Sequence, residues 1–138
     1  GVAANVNRIK GSIGYVEYAY VKKNKMTFLQ VQNANGKYVS PDDATFAAAA
    51  AGADWFSVPG MGVSMVNAKG DNSWPVSTAS FILMYKSPDD KAASADALKF
   101  FDWSFKNGKK MAAELDYVPL PDSLTEQIRS RVWSQIQK

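Results

Sequence analysis

Gly11-Ser12-Ile13-Gly14-Tyr15-Val16-Glu17-Tyr18-Ala19-Tyr20-Val21-Lys22-Lys23 sets glycines, β-branched residues and aromatics at a spacing too particular to be generic. Gly11 takes a left-handed backbone without steric penalty and so ends a preceding helix. Ile13 to Val16 then reads as a short strand, and the helix formers from Glu17 onward turn the chain helical again. One helix-strand-helix unit is therefore expected here, the alternation from which α/β layers are built. On its amino-terminal side Val2, Val6 and Ile9 recur at helical spacing, so residues 2–10 read as an amphipathic helix stopped by Gly11. No capping residue stands before Val2, so further sequence is expected upstream.

The 138 residues suffice for one ordinary domain, or for parts of two lobes. Their 46% hydrophobic and 21% charged residues are globular values, and no stretch is both apolar and long enough to cross a bilayer. Absence of cysteine excludes disulfides, zinc-thiolate sites and thiol nucleophiles. Absence of histidine removes the usual near-neutral general base and the commonest transition-metal ligand, which weighs against catalysis. The net charge of +3 is uneven, its excess lying in Arg8, Lys10, Lys22, Lys23, Lys25 and Lys37. A nucleic-acid or polyanion surface is one reading of that basic stretch. No RNA-binding or helix-turn-helix pattern interleaves it, so a solvated surface explains it better.

Beyond Lys23, Met26 to Gln32 alternates as a strand, and Asn33-Ala34-Asn35-Gly36 supplies the positive φ angles of a tight turn. Lys37 to Val39 should then return antiparallel. Ser40-Pro41-Asp42-Asp43 reads as a helix start, with a hydroxyl to cap, proline at the first helical position and carboxylates near the positive end of the dipole. That role explains Asp42 and Asp43 without a catalytic dyad. The helix runs through the alanines 47–51 to Gly52. Gly60-Met61-Gly62 lacks the length, lysine and hydroxyl of a phosphate loop, and Lys69-Gly70-Asp71-Asn72 lacks the repeated carboxylates of a calcium loop. A short strand is plausible at Val63 to Asn67.

Trp74-Pro75 marks a boundary. Val76 to Tyr85 is almost continuously apolar and suits a buried central strand of a mostly parallel sheet. Ser94 then caps a helix over Ala95 to Asn107, whose aromatics are core packing rather than a base-stacking platform. Gly108 interrupts or ends it, and Met111 to Leu115 adds a turn. Ser123 and Glu126 stand in capping-box relation at the head of a last helix with Leu124, Ile128, Val132 and Ile136 on its apolar face.

Gly11 to Lys23, Val39-Ser40-Pro41, Gly52-Ala53-Asp54-Trp55, Trp74-Pro75-Val76, Phe81-Ile82-Leu83, Leu98-Lys99-Phe100-Phe101-Asp102-Trp103 and Leu120-Pro121-Asp122-Ser123 follow one another in an order that resembles PstS-type phosphate-binding proteins. These are periplasmic or lipid-anchored receptors of phosphate ABC transporters. The resemblance implies an α/β, type II periplasmic substrate-binding fold of two lobes, of which this chain is an incomplete C-terminal segment. Residues 1–75 would finish the second lobe and residues 76–138 would return to the first. It implies capture of inorganic phosphate and delivery to a membrane permease, with no bond made or broken and no cofactor. This segment would serve as scaffold and as one hinge strand around Trp74 to Thr78. The family's phosphate-binding motifs match no position here, so phosphate ligands are expected upstream of Gly1, and neither catalytic nor metal-binding residues are assigned. Ala51 to Asn67 departs most from the family pattern. The fragment is expected to associate with itself or with the rest of the receptor. A phosphatase-like relative is the catalytic alternative, and no nucleophile-elbow serine supports it.

Overall fold

Asn35-Gly36 makes the expected turn, with positive φ at Gly36 but not at Asn35. In the computed structural model, which describes residues 1–137, Gly36 has φ +76° and donates its N–H to the Asn33 carbonyl at 2.9 Å. The flanking strands β1 (Val31–Gln32) and β2 (Tyr38–Val39) pair antiparallel, with Val31 opposite Val39 and Gln32 opposite Tyr38. Around this hairpin the chain is helical: α1 (Val2–Arg8), α2 (Tyr18–Lys23), α3 (Asp43–Ala51), α4 (Lys91–Asn107), α5 (Lys109–Glu114) and α6 (Asp122–Gln127). A 3-10 turn covers Pro59–Met61. Behind α6 follow a π-helical turn, Ile128–Val132, and a 3-10 turn, Trp133–Gln135.

The opening stretch keeps its helices and loses its strand. α1 ends two residues earlier than expected, and the Ser12 hydroxyl closes it by donating to the Ile9 carbonyl at 2.7 Å, with Gly11 left-handed at φ +80°. Gly14 lies against α1: a Cβ there would stand 2.6 Å from Val2 Cγ1 and 2.9 Å from Val6 Cγ2, so only glycine permits the approach. Between Gly14 and α2 the backbone has no ladder, and Ile13 and Tyr15 are 78% and 88% exposed.

The long apolar run departs further from expectation. Residues 77–85 form no helix and no strand, with Leu83 93% and Tyr85 82% exposed, rather than being buried at the centre of a sheet. Val63 to Asn67 also carries no ladder, and of Met26 to Gln32 only Val31 and Gln32 pair. Apolar pattern makes a segment fit for a strand, but a strand exists only when neighbouring backbone satisfies its N–H and C=O groups. Among the described residues, β1 and β2 alone provide that for each other.

Helix starts differ from expectation through competition among caps. Asp42, not Ser40, caps α3: its carboxylate accepts from Thr45 N at 2.7 Å while Thr45 Oγ1 accepts from Asp42 N at 3.0 Å. Asp90 accepts from Ala93 N at 2.9 Å and starts α4 at Lys91, which leaves Ser94 buried inside the helix with its hydroxyl unpartnered. Pro121 precedes α6, so Ser123 falls within the helix and makes no capping box with Glu126. Gly108 separates α4 from α5 as expected.

The core forms where small side chains let elements approach. Ala49 and Ala50 of α3 pack with Trp55, Met65 and Leu124 of α6, and Phe56, Met61, Val63, Leu120 and Ile128 flank them. The Trp55 indole N–H donates to the Ala50 carbonyl at 2.7 Å, satisfying one of the acceptors that a helix C-terminus leaves open. On the other side of α3, Phe46 meets Tyr18 and Trp74 edge to face, with ring centroids 5.2 and 6.4 Å away.

Candidate functional site

The most densely bonded polar group is Asn33, at the first corner of the hairpin. Its buried side-chain amide donates towards the carbonyls of Gly70, Asp71 and Ser73 at 3.1, 2.8 and 3.3 Å. Its carbonyl oxygen accepts from Asn35 N at 3.1 Å and Lys37 N at 3.0 Å. One residue thus fastens the turn to the loop before Trp74. That loop is secured again by Ser73, fully buried and donating to the Lys69 carbonyl at 2.9 Å, and by Trp74 N on the Thr45 carbonyl at 3.0 Å. Asp71 receives the Asn35 amide at 2.8 Å, so its carboxylate is engaged in the turn rather than in a cation loop. Asn33 is legible in the sequence as a turn residue only, because its partners lie 37 to 40 positions away.

Anion binding draws on free N–H groups at helix starts and on unpaired cations. The two long helices each give one first-turn amide to the carboxylate just before them, Thr45 N to Asp42 ahead of α3 and Ala93 N to Asp90 ahead of α4. Lys22 is paired with Asp116, Lys109 with Asp122, and Lys106 with Asp102 at 2.5 Å. The hydrogen bond that Lys22 donates to the Asp116 carboxylate holds the lysine above its ordinary value against the opposing cost of burial. Arg8 and Lys23 at the ends of the first two helices, Lys10 and Lys25 in the turns after them, and Lys37 in the hairpin are exposed. A cavity of about 240 Å³ between α4, α5 and α6 offers Ser104, Lys109 and Thr125 among mostly apolar neighbours, its one cation being the lysine already paired with Asp122. Among the described residues no group of three or more carboxylate, histidine or cysteine side chains could hold a metal. No helix among them is long and apolar enough to cross a membrane.

Asp102, on α4, joins that helix to the end of the chain. Arg129 donates to it at 2.7 Å and to Glu126 at 2.7 Å, while Lys106 approaches from one turn further along. Phe105 stacks on Trp133 at 5.5 Å with the rings 3° apart, and the Arg131 guanidinium lies 3.7 Å over the Phe56 ring. The hydrogen bonds from Lys106 and then Arg129 hold the Asp102 carboxyl below its ordinary value of 3.8, and Asp102 in turn raises Arg129. A carboxyl whose folded value lies below its unfolded one contributes stability that is present above the unfolded pKa and lost as pH falls through the folded one. Acid titration of the native chain is therefore expected to lose stability below about pH 4, and Asp102→Asn to lower stability at neutral pH while flattening that acid limb. Urea midpoints measured across pH check both.

These groups hold elements together, and none pairs a nucleophile with a base. No family model matches the chain. Curated relatives do. It is 50% identical over 131 residues to the phosphate-binding protein PstS of Pasteurella multocida, a match covering 95% of this chain and 38% of that protein. It is 49% identical over 130 residues to PstS of Xylella fastidiosa, covering 94% and 36%. With PstS of Haemophilus influenzae it shares 46% identity over 131 residues, covering 95% and 39%. The chain spans a little over a third of the length of the curated relatives it matches. Along nearly all of its own length, the chain belongs to the PstS phosphate-binding proteins.

Proposed function

We propose that this chain is the C-terminal part of a receptor that captures inorganic phosphate between two lobes of a type II substrate-binding fold and hands it to an ABC transporter permease. The observation that carries the reading is 46% to 50% identity to proteins named for phosphate binding, sustained over 94% to 95% of the chain. The receptor works outside the cytoplasmic membrane, in the periplasm or anchored by lipid, and breaks no bond. Residues 1–75 complete the second lobe and residues 76–138 return to the first, with Trp74 to Thr78 as a hinge strand. The packing of α6 on α3 through Leu124 is then a contact between lobes.

The phosphate ligands lie outside residues 1–138, and this segment acts as frame. Two features support that division of labour: a carboxylate, Asp42 or Asp90, caps the start of each long helix, and several lysines are held in ion pairs. Two apolar segments, around Ile13 to Val16 and Phe81 to Tyr85, lie largely exposed here and take strand partners from the remainder of the receptor. The test is a chimera in which this chain replaces the matching 131 residues of the Pasteurella multocida protein. The chimera is expected to fold cooperatively and bind phosphate saturably by calorimetry. A folded chimera that does not bind phosphate overturns the reading.

A further inference from the structure

We infer that Asn35 is the chain's site of spontaneous deamidation, and that its conversion to aspartate or isoaspartate unfastens the hairpin from the loop ahead of Trp74. The sequence offers two Asn-Gly pairs, Asn35-Gly36 and Asn107-Gly108, and one Asn-Ser pair, Asn72-Ser73. In this reaction the backbone nitrogen of the following residue loses its proton to solvent base and attacks the asparagine Cγ. A ring N–C bond forms, the bond from Cγ to the amide Nδ2 breaks, and that nitrogen departs as ammonia after taking a proton from water. Water then opens the cyclic imide at either carbonyl. No electron changes hands, and water is the only co-reactant.

The three pairs present that chemistry differently. Asn35 and Gly36 are both exposed, Gly36 is left-handed, and the atom nearest to a Cβ built on it is Gln32 Nε2 at 3.9 Å, so solvent base reaches the amide. The Gly36 N–H is held by a single turn bond to Asn33 O at 2.9 Å, in an exposed turn. Gly108 N is instead bonded to Ser104 O at 2.7 Å at the junction of α4 and α5, and the Asn107 side chain donates to Trp103 O at 2.9 Å. The helical backbone there keeps the nucleophile away from Asn107 Cγ. Ser73, the partner of Asn72, is fully buried and its N–H is bonded to Gly70 O at 3.2 Å.

Reaction at Asn35 changes more than charge. Its amide donates to Asp71 Oδ1 at 2.8 Å, so an aspartate at that position sets two carboxylates against each other where donor met acceptor. Isoaspartate adds a methylene to the main chain inside a loop closed by Asn33 N on Lys37 O at 2.8 Å. Either product strains the bonds through which Asn33 holds the loop.

The test ages the full chain in mildly alkaline buffer and maps deamidation and isoaspartate by peptide mass spectrometry, with Asn35→Ser as the control. Product is expected first and mostly at Asn35 and lost in the control, with faster amide exchange at Lys37 and Ser73 in the aged chain. Equal or faster reaction at Asn107 or Asn72 overturns the assignment. Unchanged exchange after Asn35 has reacted overturns the structural consequence.

Discussion

Trp55→Ala is expected to lower the free energy of unfolding by about 3–5 kcal/mol. The indole is 7% exposed and stands at the centre of the core, touching the helix that supplies Ala49 and Ala50 and the cluster that includes Met65 and Leu124. Alanines cannot move in to fill the space, because their side chains end at Cβ. Truncation therefore leaves a cavity and removes the shortest bond to the Ala50 carbonyl, which keeps the longer one from Ala53 N at 3.4 Å. Trp55→Phe separates the two contributions: it keeps most of the ring volume and is expected to cost about 1–2 kcal/mol through the lost donor and reduced contact. Since a domain's whole stability is about 5–15 kcal/mol, the alanine variant should show a urea midpoint far below the parent's. A midpoint within error of the parent's would place the core elsewhere.

Asn33→Ala is expected to cost about 2–4 kcal/mol, because it strips partners from three carbonyls and two amides at once. Asn33→Asp distinguishes this clamp from a simple turn preference. Aspartate is as acceptable as asparagine in many turns, yet an ionised carboxylate has no donor and would face the Gly70, Asp71 and Ser73 carbonyls. It is expected to destabilise at least as much as alanine at neutral pH, measured by the same urea transitions. A neutral Asn33→Asp would mean that the side chain serves the turn alone.

The parts of this fold that are legible in the sequence are those that local chemistry decides. Asn35-Gly36 dictates a hairpin, Gly108 divides two helices, and the alanine run before Gly52 makes α3. Cap choice is legible only as a set of candidates: Asp42 and Asp90 win over Ser40 and Ser94 by geometry that spacing does not reveal. Strands escape a sequence reading for a different reason. Val76 to Tyr85 has the apolar content of a buried strand, but the pairing that makes one depends on residues far away, and residues 1–137 present no such edge to it. Of the polar framework, the Asn33 clamp and the Asp102–Arg129 pair are invisible in the sequence, since each joins residues more than twenty positions apart. The family resemblance is legible because it rests on ordered short motifs, which survive whether or not their strands find partners.

A chain that frames a phosphate receptor without supplying its ligand groups should not bind phosphate by itself. Isothermal titration of inorganic phosphate into residues 1–138, on a sample whose urea transition shows it folded, puts this to the test. No saturable heat is expected. Binding in the micromolar range or tighter would contradict the assignment of this segment as frame.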